Sequence, residues 1–268
     1  MKINEDYDSN FFSGIKPTST KSAEIIVPLI IDLLGPHSVI DIGCGIGTWL
    51  SVFKANNIND ITGVDGDWVK QESLLIPKSC FVARDLIQGF NAERRFDLAL
   101  CLEVAEHLDP RYARRFVGTL VKLSSIVLFS AAIPFQEGTH HVNEEWPDYW
   151  AKLFSEHEYV PVDCIREKIW NNEDVAWWYA QNILVFADKR QVLQNTKLEK
   201  AFERTRVSQL SIVHPRKYLV TNVNRLTLKQ ALSLLPGLMF KSVRAKLQFV
   251  RTLAAKTYLS FSTQKNEA

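Results

Sequence analysis

Apolar and polar positions along the first half of the chain follow two alternating patterns. Five short runs are rich in β-branched and aromatic residues and contain few polar positions. Stretches with helical spacing lie between most of these runs, which span residues 38–42, 61–65, 80–83, 96–101 and 125–130. Strands that are apolar on both faces and separated by helices are typical of a parallel sheet covered on both sides. The pattern therefore predicts a doubly wound α/β fold.

The pattern differs on either side of these runs. Residues 21–34 (KSAEIIVPLIIDLL) predict an apolar helix that ends at Gly35-Pro36. After the fifth run, residues 148–157 predict another helix. Two longer β-rich runs follow, at 158–167 and 182–187, and they predict an antiparallel pair at the edge of the sheet.

The β signal stops after Asp188, and the rest of the chain is helical and amphipathic in pattern, with a break at Pro236-Gly237. The charge changes at the same place. Residues 1–188 contain 16 Lys+Arg and 27 Asp+Glu, whereas residues 189–268 contain 16 and 3. We therefore predict an acidic body (1–188) and a basic helical C-terminal extension (189–268).

Cysteine usage and hydropathy suggest a cytoplasmic protein. Cys44, Cys80, Cys101 and Cys164 are spread out and form no CxxC pair, which argues against a zinc site and a disulfide framework. The polar start MKINEDYDSN does not resemble a signal peptide, and no apolar run reaches the roughly 18 residues of a membrane-spanning helix.

The stretch VIDIGCGIGTWL (39–50) places three glycines directly after the first predicted strand. Glycines there allow a sharp turn and let a ligand approach the backbone without meeting a Cβ atom. The spacing of Gly43, Gly45 and Gly47 is GxGxG rather than the GxGxxG of dinucleotide sites, and no Lys-Ser/Thr follows to form a P-loop. Asp41 suits a cationic ligand group such as an ammonium better than a phosphate.

Two further acids follow the next two predicted strands. Asp65, in GVDGD, comes 22 residues after Gly43, where an acid is placed to accept the hydroxyls of an adenosine ribose. Asp67 is the neighbouring alternative. Asp85 ends the third strand and could accept the adenine amino group or cap a helix.

The motifs DIGCGIG, GVDGD, ARDL and FDLALCLEVAEHL, in this order, resemble those of class I S-adenosylmethionine-dependent methyltransferases over roughly residues 20–187. The resemblance implies a seven-stranded sheet with an antiparallel last strand and S-adenosylmethionine as the methyl donor. It implies that Asp41, Gly43 and Gly45 hold the methionine part, Asp65 the ribose and Asp85 the adenine. The full expected cofactor set is Asp41, Gly43, Cys44, Gly45, Gly47, Asp65, Gly66, Asp85, Leu86 and Glu103.

The string ExxEH after the fourth strand resembles ubiquinone-pathway O-methyltransferases and RNA 3′-end ribose 2′-O-methyltransferases, where it is associated with a metal. Glu103, Glu106 and His107, with His141, are therefore candidate ligands of Mg²⁺ or Mn²⁺. In the wider family the first Glu lines the cofactor pocket and the His faces the acceptor. A general base, an acceptor contact and a surface position all remain open for His107.

A second candidate cluster, THHVNEEW (139–146), follows the fifth strand. His141 aligns best with the segment that opens the next helix in small-molecule methyltransferases, and His140 is next. Either could act as a base, complete a metal site or cap the loop. The expected catalytic residues are His107, His141, His140 and Glu106.

Two aromatic groups are less specific. Trp170, Trp177, Trp178 and Tyr179 could flank a carbohydrate, although packing of an edge hairpin is the favoured interpretation. Tyr7, Phe11 and Phe12 precede the predicted first helix and are expected either to form a lid over the cofactor or to staple that helix. They are counted with the body in the first domain.

The basic segment 225–256 mixes Leu, Val and Phe with Lys and Arg at near-helical spacing. It could dock on the acidic body of its own or another subunit, lie on the anionic inner face of a membrane, or hold nucleic acid. No RNA-binding motif supports the last option.

The leading hypothesis is O-methylation of a hydroxylated, carbohydrate-like small molecule, such as a sugar of a surface glycan or a glycosylated metabolite. The alternatives are an RNA ribose methyltransferase and a non-catalytic binding module whose extension contacts a membrane or a glycosyltransferase. N-methylation also remains open.

Overall fold

The computed structural model describes residues 9–220, with side chains for residues 17–218. Seven strands form one sheet in this part of the chain. The strands are β1 (Ser38–Ile42), β2 (Asp60–Asp65), β3 (Phe81–Ala83), β4 (Leu98–Leu102), β5 (Ile126–Ser130), β6 (Tyr159–Val162) and β7 (Leu184–Asp188). The helices are α1 (Ser9–Leu34), α2 (Thr48–Ala55), α3 (Ala113–Leu123), α4 (Pro147–Ser155), α5 (Arg166–Ile169), α6 (Trp177–Asn182), α7 (Lys189–Gln194), α8 (Thr196–Arg204) and α9 (Pro215–Val220).

The strand order is β3-β2-β1-β4-β5-β7-β6. The first five strands are parallel, and β7 runs antiparallel to both β5 and β6. The predicted doubly wound, seven-stranded fold with an antiparallel last strand is confirmed. The strand order reverses between β1 and β4, and ligands of such sheets bind at the carboxyl ends of the strands beside this point.

The core lies on both faces of the sheet because successive residues of a strand point to opposite sides. One face packs against α1 and α2 and includes Val39, Leu98, Leu100, Leu128 and Val185. The other packs against α3 and α4 and includes Ile40, Ala99, Cys101, Val127 and Phe186. Burial on both faces explains why these strands are nearly uninterrupted apolar runs.

Helix α1 begins at Ser9, earlier than the apolar pattern predicted. Its buried face, which includes Ala23, Ile26 and Ile30, has the spacing of a helix packed on a sheet. The expectation that Phe11 and Phe12 precede the helix is wrong, because both lie within it. Tyr7 lies outside the described residues, so the lid stays a prediction.

The edge of the sheet differs from the prediction between β6 and β7. Strand β6 ends at Val162, five residues earlier than predicted, because the chain turns where Arg166 is buried. The Arg166 guanidinium bonds both Asp163 carboxylate oxygens, at 2.6 and 3.0 Å. Helix α5 (Arg166–Ile169) begins within the run predicted as a strand, and α6 (Trp177–Asn182) precedes β7.

The chain divides into two compact units, Met1–Lys217 and Tyr218–Ala268. Residues 189–217, placed with the extension by the sequence pattern, belong to the first unit. Asn195 caps α8 and donates to the Leu33 carbonyl at the end of α1, at 3.0 Å. The predicted break at Pro236-Gly237 and the basic segment 225–256 lie outside the described residues. Among the described helices, none is both long and apolar enough to cross a membrane.

Candidate active site

A cavity of about 930 Å³ opens at the carboxyl ends of β1, β2 and β4, where the strand order reverses. Most of the predicted site residues line it. From the predicted cofactor and catalytic sets these are Asp41, Gly43, Cys44, Gly45, Asp65, Asp85, Leu86, Glu103, Glu106, His107, His140 and His141. Gly47 and Gly66 do not line the cavity.

The glycine turn follows β1 and has a backbone that only glycine adopts easily. Gly43, Gly45 and Gly47 have φ values of 82°, 53° and 82°. A Cβ atom on Gly43 would lie 2.3 Å from the Val104 side chain, and one on Gly47 would lie 2.9 Å from Ile76. Gly47 therefore shapes the turn and lets α2 start, whereas Gly43 and Gly45 face the cavity.

Asp65 ends β2 and fastens the glycine turn. Its buried carboxylate accepts hydrogen bonds from the Gly45 N–H at 2.6 Å and the Gly66 N–H at 2.7 Å. Burial raises the pKa of Asp65, and these two hydrogen bonds partly offset that effect. Gly66 thus supports the ribose candidate through its backbone. The exposed neighbour Asp67 also lines the cavity, but its side chain has no such role in the turn.

Asp41 is buried beside Asp65. Burial, and then the charge of Asp65, raise the pKa of Asp41 to about 7. The nearby Cys44 thiol is also buried, and its pKa is raised well above its ordinary value, so it lines the cavity as a neutral group. No Lys or Arg among the described residues forms an ion pair with either acid.

These residues fit the methyl donor that the motifs imply. Two buried carboxyl groups, which no Lys or Arg of residues 17–218 pairs with, lie beside a turn that a Cβ atom would obstruct. Such a cradle suits a ligand with a positively charged ammonium and sulfonium, because each positive charge favours the ionised carboxylates. Asp85 accepts a hydrogen bond from the Ile87 N–H at 2.9 Å and caps a short turn, so its adenine role stays a prediction.

Glu103, predicted as a cofactor contact and as a metal ligand, lines the cavity. It follows β4 directly and has a φ of 55°, which turns its side chain into an amide network. Its carboxylate accepts from Gln136 Nε2 at 2.9 Å and from Asn182 Nδ2 at 3.1 Å. Burial raises the pKa of Glu103 to about 7, while these amide hydrogen bonds lower it.

Glu106 and His107 lie on the next turn, Ala105–His107. Both Glu106 carboxyl oxygens are buried, and neither has a hydrogen-bond partner among the described residues. Burial and the charge of Glu103 raise the pKa of Glu106 well above its ordinary value. Burial, and then His141, lower the pKa of His107 to about 4, so His107 is neutral at pH 7.

His141 packs against His107 with ring centroids 4.9 Å apart. Its Nδ1 atom lies 2.8 Å from the Glu144 carboxylate. The segment is fixed to the ExxEH turn because the Val142 and Asn143 N–H groups donate to the Glu106 carbonyl, at 2.9 and 3.0 Å. His140 is exposed, has a φ of 57° and lines the cavity mouth.

Three of the four predicted metal ligands come together. Ligand atoms of Glu106, His107 and His141 lie within 4.8 Å of one another. Glu103 is not part of this group, because its carboxylate is bonded to the amides of Gln136 and Asn182. The three residues offer one carboxylate and two imidazoles, a donor set suited to a divalent transition metal.

The aromatic residues before β7 divide into two groups. Trp177, Trp178 and Tyr179 line the cavity, whereas Trp170 packs on His214 with ring centroids 4.5 Å apart. Trp177 and Trp178 stand at 87° to each other.

Sequence reasoning missed the amide network of Gln136, Gln181 and Asn182. Single amides far apart in the sequence carry no spacing signal. Only the antiparallel placement of β7 beside β5 brings Asn182 within reach of Glu103.

A family model described as a methyltransferase domain matches residues 19–205. Among curated proteins, no sequence match was found. Similar solved structures include the methyltransferase domain of a bacterial CtHen1, with 22% identity, 62% of this chain and 98% of that chain covered, and a TM-score of 0.46. Magnesium protoporphyrin IX methyltransferase from Synechocystis PCC 6803 has 17% identity, 64% and 84% coverage, and a TM-score of 0.47.

The family match covers more than half of the chain and spans the glycine turn, the acids and the ExxEH turn. It confirms the family that the motifs predicted. The chain belongs to the methyltransferase domain family, and it is a class I methyltransferase that depends on S-adenosylmethionine.

Proposed function

We propose that this methyltransferase methylates a hydroxyl group of a small molecule, with His141 as the general base. The observation that carries the proposal is the 2.8 Å contact between His141 Nδ1 and the Glu144 carboxylate, at a histidine that lines the cavity. A carboxylate that accepts a hydrogen bond from Nδ1–H favours the neutral tautomer with an unprotonated Nε2, and it fixes the orientation of the ring. The Glu137 N–H also donates to Glu144, at 2.8 Å, and holds the carboxylate in place.

The reaction is a displacement at a methyl carbon. S-adenosylmethionine supplies an electrophilic methyl group on a positively charged sulfur. The acceptor oxygen forms the new C–O bond as the C–S bond breaks, and the C–S electron pair stays on sulfur. His141 Nε2 takes the hydroxyl proton. Asp41 and the glycine turn hold the amino-acid end of the donor, and Asp65 holds the ribose.

The cavity favours an acceptor with the size and surface of a sugar. A volume of about 930 Å³ suits the donor together with a small molecule. The indoles of Trp177 and Trp178 line the cavity and offer apolar faces to the C–H groups of a sugar ring. The cavity is also lined by the exposed acids Asp67, Asp85 and Glu137, whose charges disfavour a phosphate backbone.

A divalent cation is the second candidate for activating the hydroxyl group. It is favoured by Glu106, whose buried carboxyl oxygens have no hydrogen-bond partner in the described part of the chain and lie beside His107 and His141. These three residues would hold Mg²⁺ or Mn²⁺, which would lower the pKa of a hydroxyl group bound to it. In that case His141 would be a ligand rather than the base.

The test uses full-length protein, methyl-labelled S-adenosylmethionine and fractionated extract of the source cells. We expect label in a low-molecular-mass or glycan fraction, unchanged by ribonuclease and by EDTA. Label that ribonuclease releases would replace the small-molecule acceptor with RNA. Activity that EDTA removes and Mn²⁺ or Mg²⁺ restores would replace the base mechanism with the cation mechanism.

A further inference from the structure

Lys217 is a buried lysine that lies 12 residues beyond the methyltransferase family match. Its Nζ atom donates to the main-chain carbonyl of Gln136 at 2.7 Å and lies 5.8 Å from the centre of the Trp177 ring. Burying a lysine costs free energy unless it is compensated by hydrogen bonds and nearby negative charge. Burial lowers the pKa of Lys217, and the negative charges of Glu137 and Glu144 offset part of that effect.

The residue that Lys217 contacts is the centre of the amide network. The Gln136 side chain donates to Glu103 at 2.9 Å. Its Oε1 atom accepts from Ile133 N at 3.3 Å, Gln181 Nε2 at 3.2 Å and Asn182 Nδ2 at 3.0 Å. Gln136 therefore connects the loop after β5 to the ExxEH turn and to the end of α6.

The loop that contains Gln136, residues 133–141, is here called the acceptor loop. Phe135, Glu137 and His140 all have positive φ values, of 66°, 63° and 57°. Non-glycine residues in this region cost free energy and persist only where surrounding contacts hold them. The contacts made by Gln136 and Lys217 are of this kind, because they fasten the middle of the loop.

Lys217 is itself held by the C-terminal strap, residues 210–217. The buried Arg166 guanidinium donates to the Leu210 carbonyl at 2.7 Å. The His214 N–H donates to Gln181 Oε1 at 2.9 Å, and His214 Nε2 donates to the Trp170 carbonyl at 2.8 Å. The strap thus reaches Gln136 twice, directly through Lys217 and indirectly through His214 and Gln181.

We propose that Lys217 is a positioning residue for methyl transfer, which fastens the acceptor loop so that Gln136 stays bonded to Glu103 and His141 stays at the cavity. The family match ends before the strap, so this is a contribution of the chain's own C-terminal segment. The structural role of Lys217 at the acceptor loop does not depend on the identity of the acceptor. Only its expected effect on kcat rests on the proposed role of His141.

Hydrogen exchange on the full-length protein tests the fastening. In Lys217→Met, we expect the amides of Ile133, Gln136 and Glu137 to exchange about tenfold faster, because their hydrogen bonds depend on the position of the loop. The amides of Val142 and Asn143, bonded to the Glu106 carbonyl, should keep their rates. Lys217→Arg should restore protection of the loop, since a guanidinium also donates to a carbonyl.

The matched control is Lys200→Met, at an exposed lysine of α8, which should behave as the parent protein. Unchanged exchange of the three loop amides in K217M, or an equal rise at Val142 and Asn143, would overturn the proposal. If K217M does not fold, Lys217→Leu, which also lacks a donor, takes its place in the same comparison.

Kinetics separate this proposal from the proposed function. The Kd of K217M for S-adenosylmethionine, measured by calorimetry, should lie within about threefold of that of the parent protein. The kcat for methylation of the acceptor identified by labelling should fall about tenfold. An equal loss of donor affinity and kcat would contradict a role confined to the acceptor loop. If His141→Ala keeps full activity, the base assignment fails, and the exchange result for Lys217 still stands on its own.

Discussion

The part of the cavity that we assign to the methyl donor and the part that we assign to the acceptor are built by different means. The donor half comes from a short part of the chain, in which backbone geometry at Gly43 and Gly45 and carboxylates at the ends of β1 and β2 meet in the parallel sheet. The acceptor half is assembled from side chains between Glu103 and Lys217 that bond one another across the sheet edge. The donor half is therefore fixed by the fold itself, whereas the acceptor half depends on individual side chains.

The two halves share one property, which is buried acid. The pKa values of Asp41 and Glu103 are both raised to about 7, chiefly by burial. In the donor half the acids lack a cation among the described residues, whereas in the acceptor half Glu103 is compensated by amide donors. A positively charged ligand would compensate the acids of the donor half. In the acceptor half, neutral amide donors already compensate Glu103.

The largest expected effect lies in the acceptor half. His141→Ala should lower kcat by about 10²- to 10⁴-fold while leaving donor affinity nearly unchanged, because a positioned base acts in the transition state. Glu144→Gln should lower kcat by about 10- to 100-fold, since it weakens the hold on the ring. Methyl-transfer rates and calorimetry with S-adenosylmethionine measure the two effects.

The matched control is Glu145→Gln. Glu145 is the next carboxylate along the chain and does not line the cavity. It should leave kcat and donor affinity as they are. A loss of donor affinity in H141A with kcat preserved would show that the division between the halves is wrong.

The next largest effect lies in the donor half. Gly43→Ala should lower the affinity for S-adenosylmethionine by about 100-fold or more, since the residue has a φ of 82° and its new Cβ atom would lie 2.3 Å from the Val104 side chain. Isothermal titration calorimetry measures the loss.

Gly118→Ala is the control for this glycine. Gly118 lies within α3, and a Cβ atom there would meet only His157, at an ordinary 3.8 Å. This change should leave donor affinity unchanged and stabilise the fold slightly, because alanine favours a helix by about 0.5–1 kcal/mol over glycine. Equal affinity of G43A and G118A for S-adenosylmethionine would show that the glycine turn is not part of the donor site.

The same difference explains how far the sequence could be interpreted. The strands, the glycine turn and Asp65 follow from local rules, because hydrophobic periodicity and glycine spacing act over a few residues. The amide network could not be predicted, since Gln136 and Asn182 meet only after β7 inserts between β5 and β6.

The errors have a similar origin. Strand β6 was predicted too long because the pattern cannot reveal that Arg166 is buried and bonded to Asp163, Gln181 and Leu210. The start of α1 was missed because its first turns carry no clear apolar spacing, while Pro17 within the helix normally signals a boundary.

A smaller effect tests the electrostatics of the donor half. Since the pKa of Asp41 is about 7 and a cationic ligand favours its ionised form, donor affinity should rise by about tenfold between about pH 6 and pH 8. Binding near pH 7 should release a proton, which calorimetry in buffers of different ionisation enthalpy detects. Asp41→Asn should bind weakly and without this pH dependence. An affinity that falls with rising pH would contradict the assignment of a cationic group to Asp41.

The smallest expected effect concerns the stability of the protein without donor. The folded-state pKa of Asp41, about 7, is above its ordinary value of 3.8, so the folded protein holds this proton more tightly than the unfolded chain. The stability that Asp41 contributes is therefore present at low pH and is lost as the pH rises from about 4 through 7. Asp41→Asn carries no charge to bury, and its melting temperature should match the parent protein near pH 4 and exceed it by about 2–4 °C or more at pH 8.

The exposed acid Asp67 provides the control, because Asp67→Asn should show no such pH-dependent gain. If D41N weakens donor binding and also stabilises the protein without donor, then the buried Asp41 carboxylate lowers the stability of the fold and serves ligand binding. Equal melting temperatures of D41N and the parent protein at every pH would show that it does not.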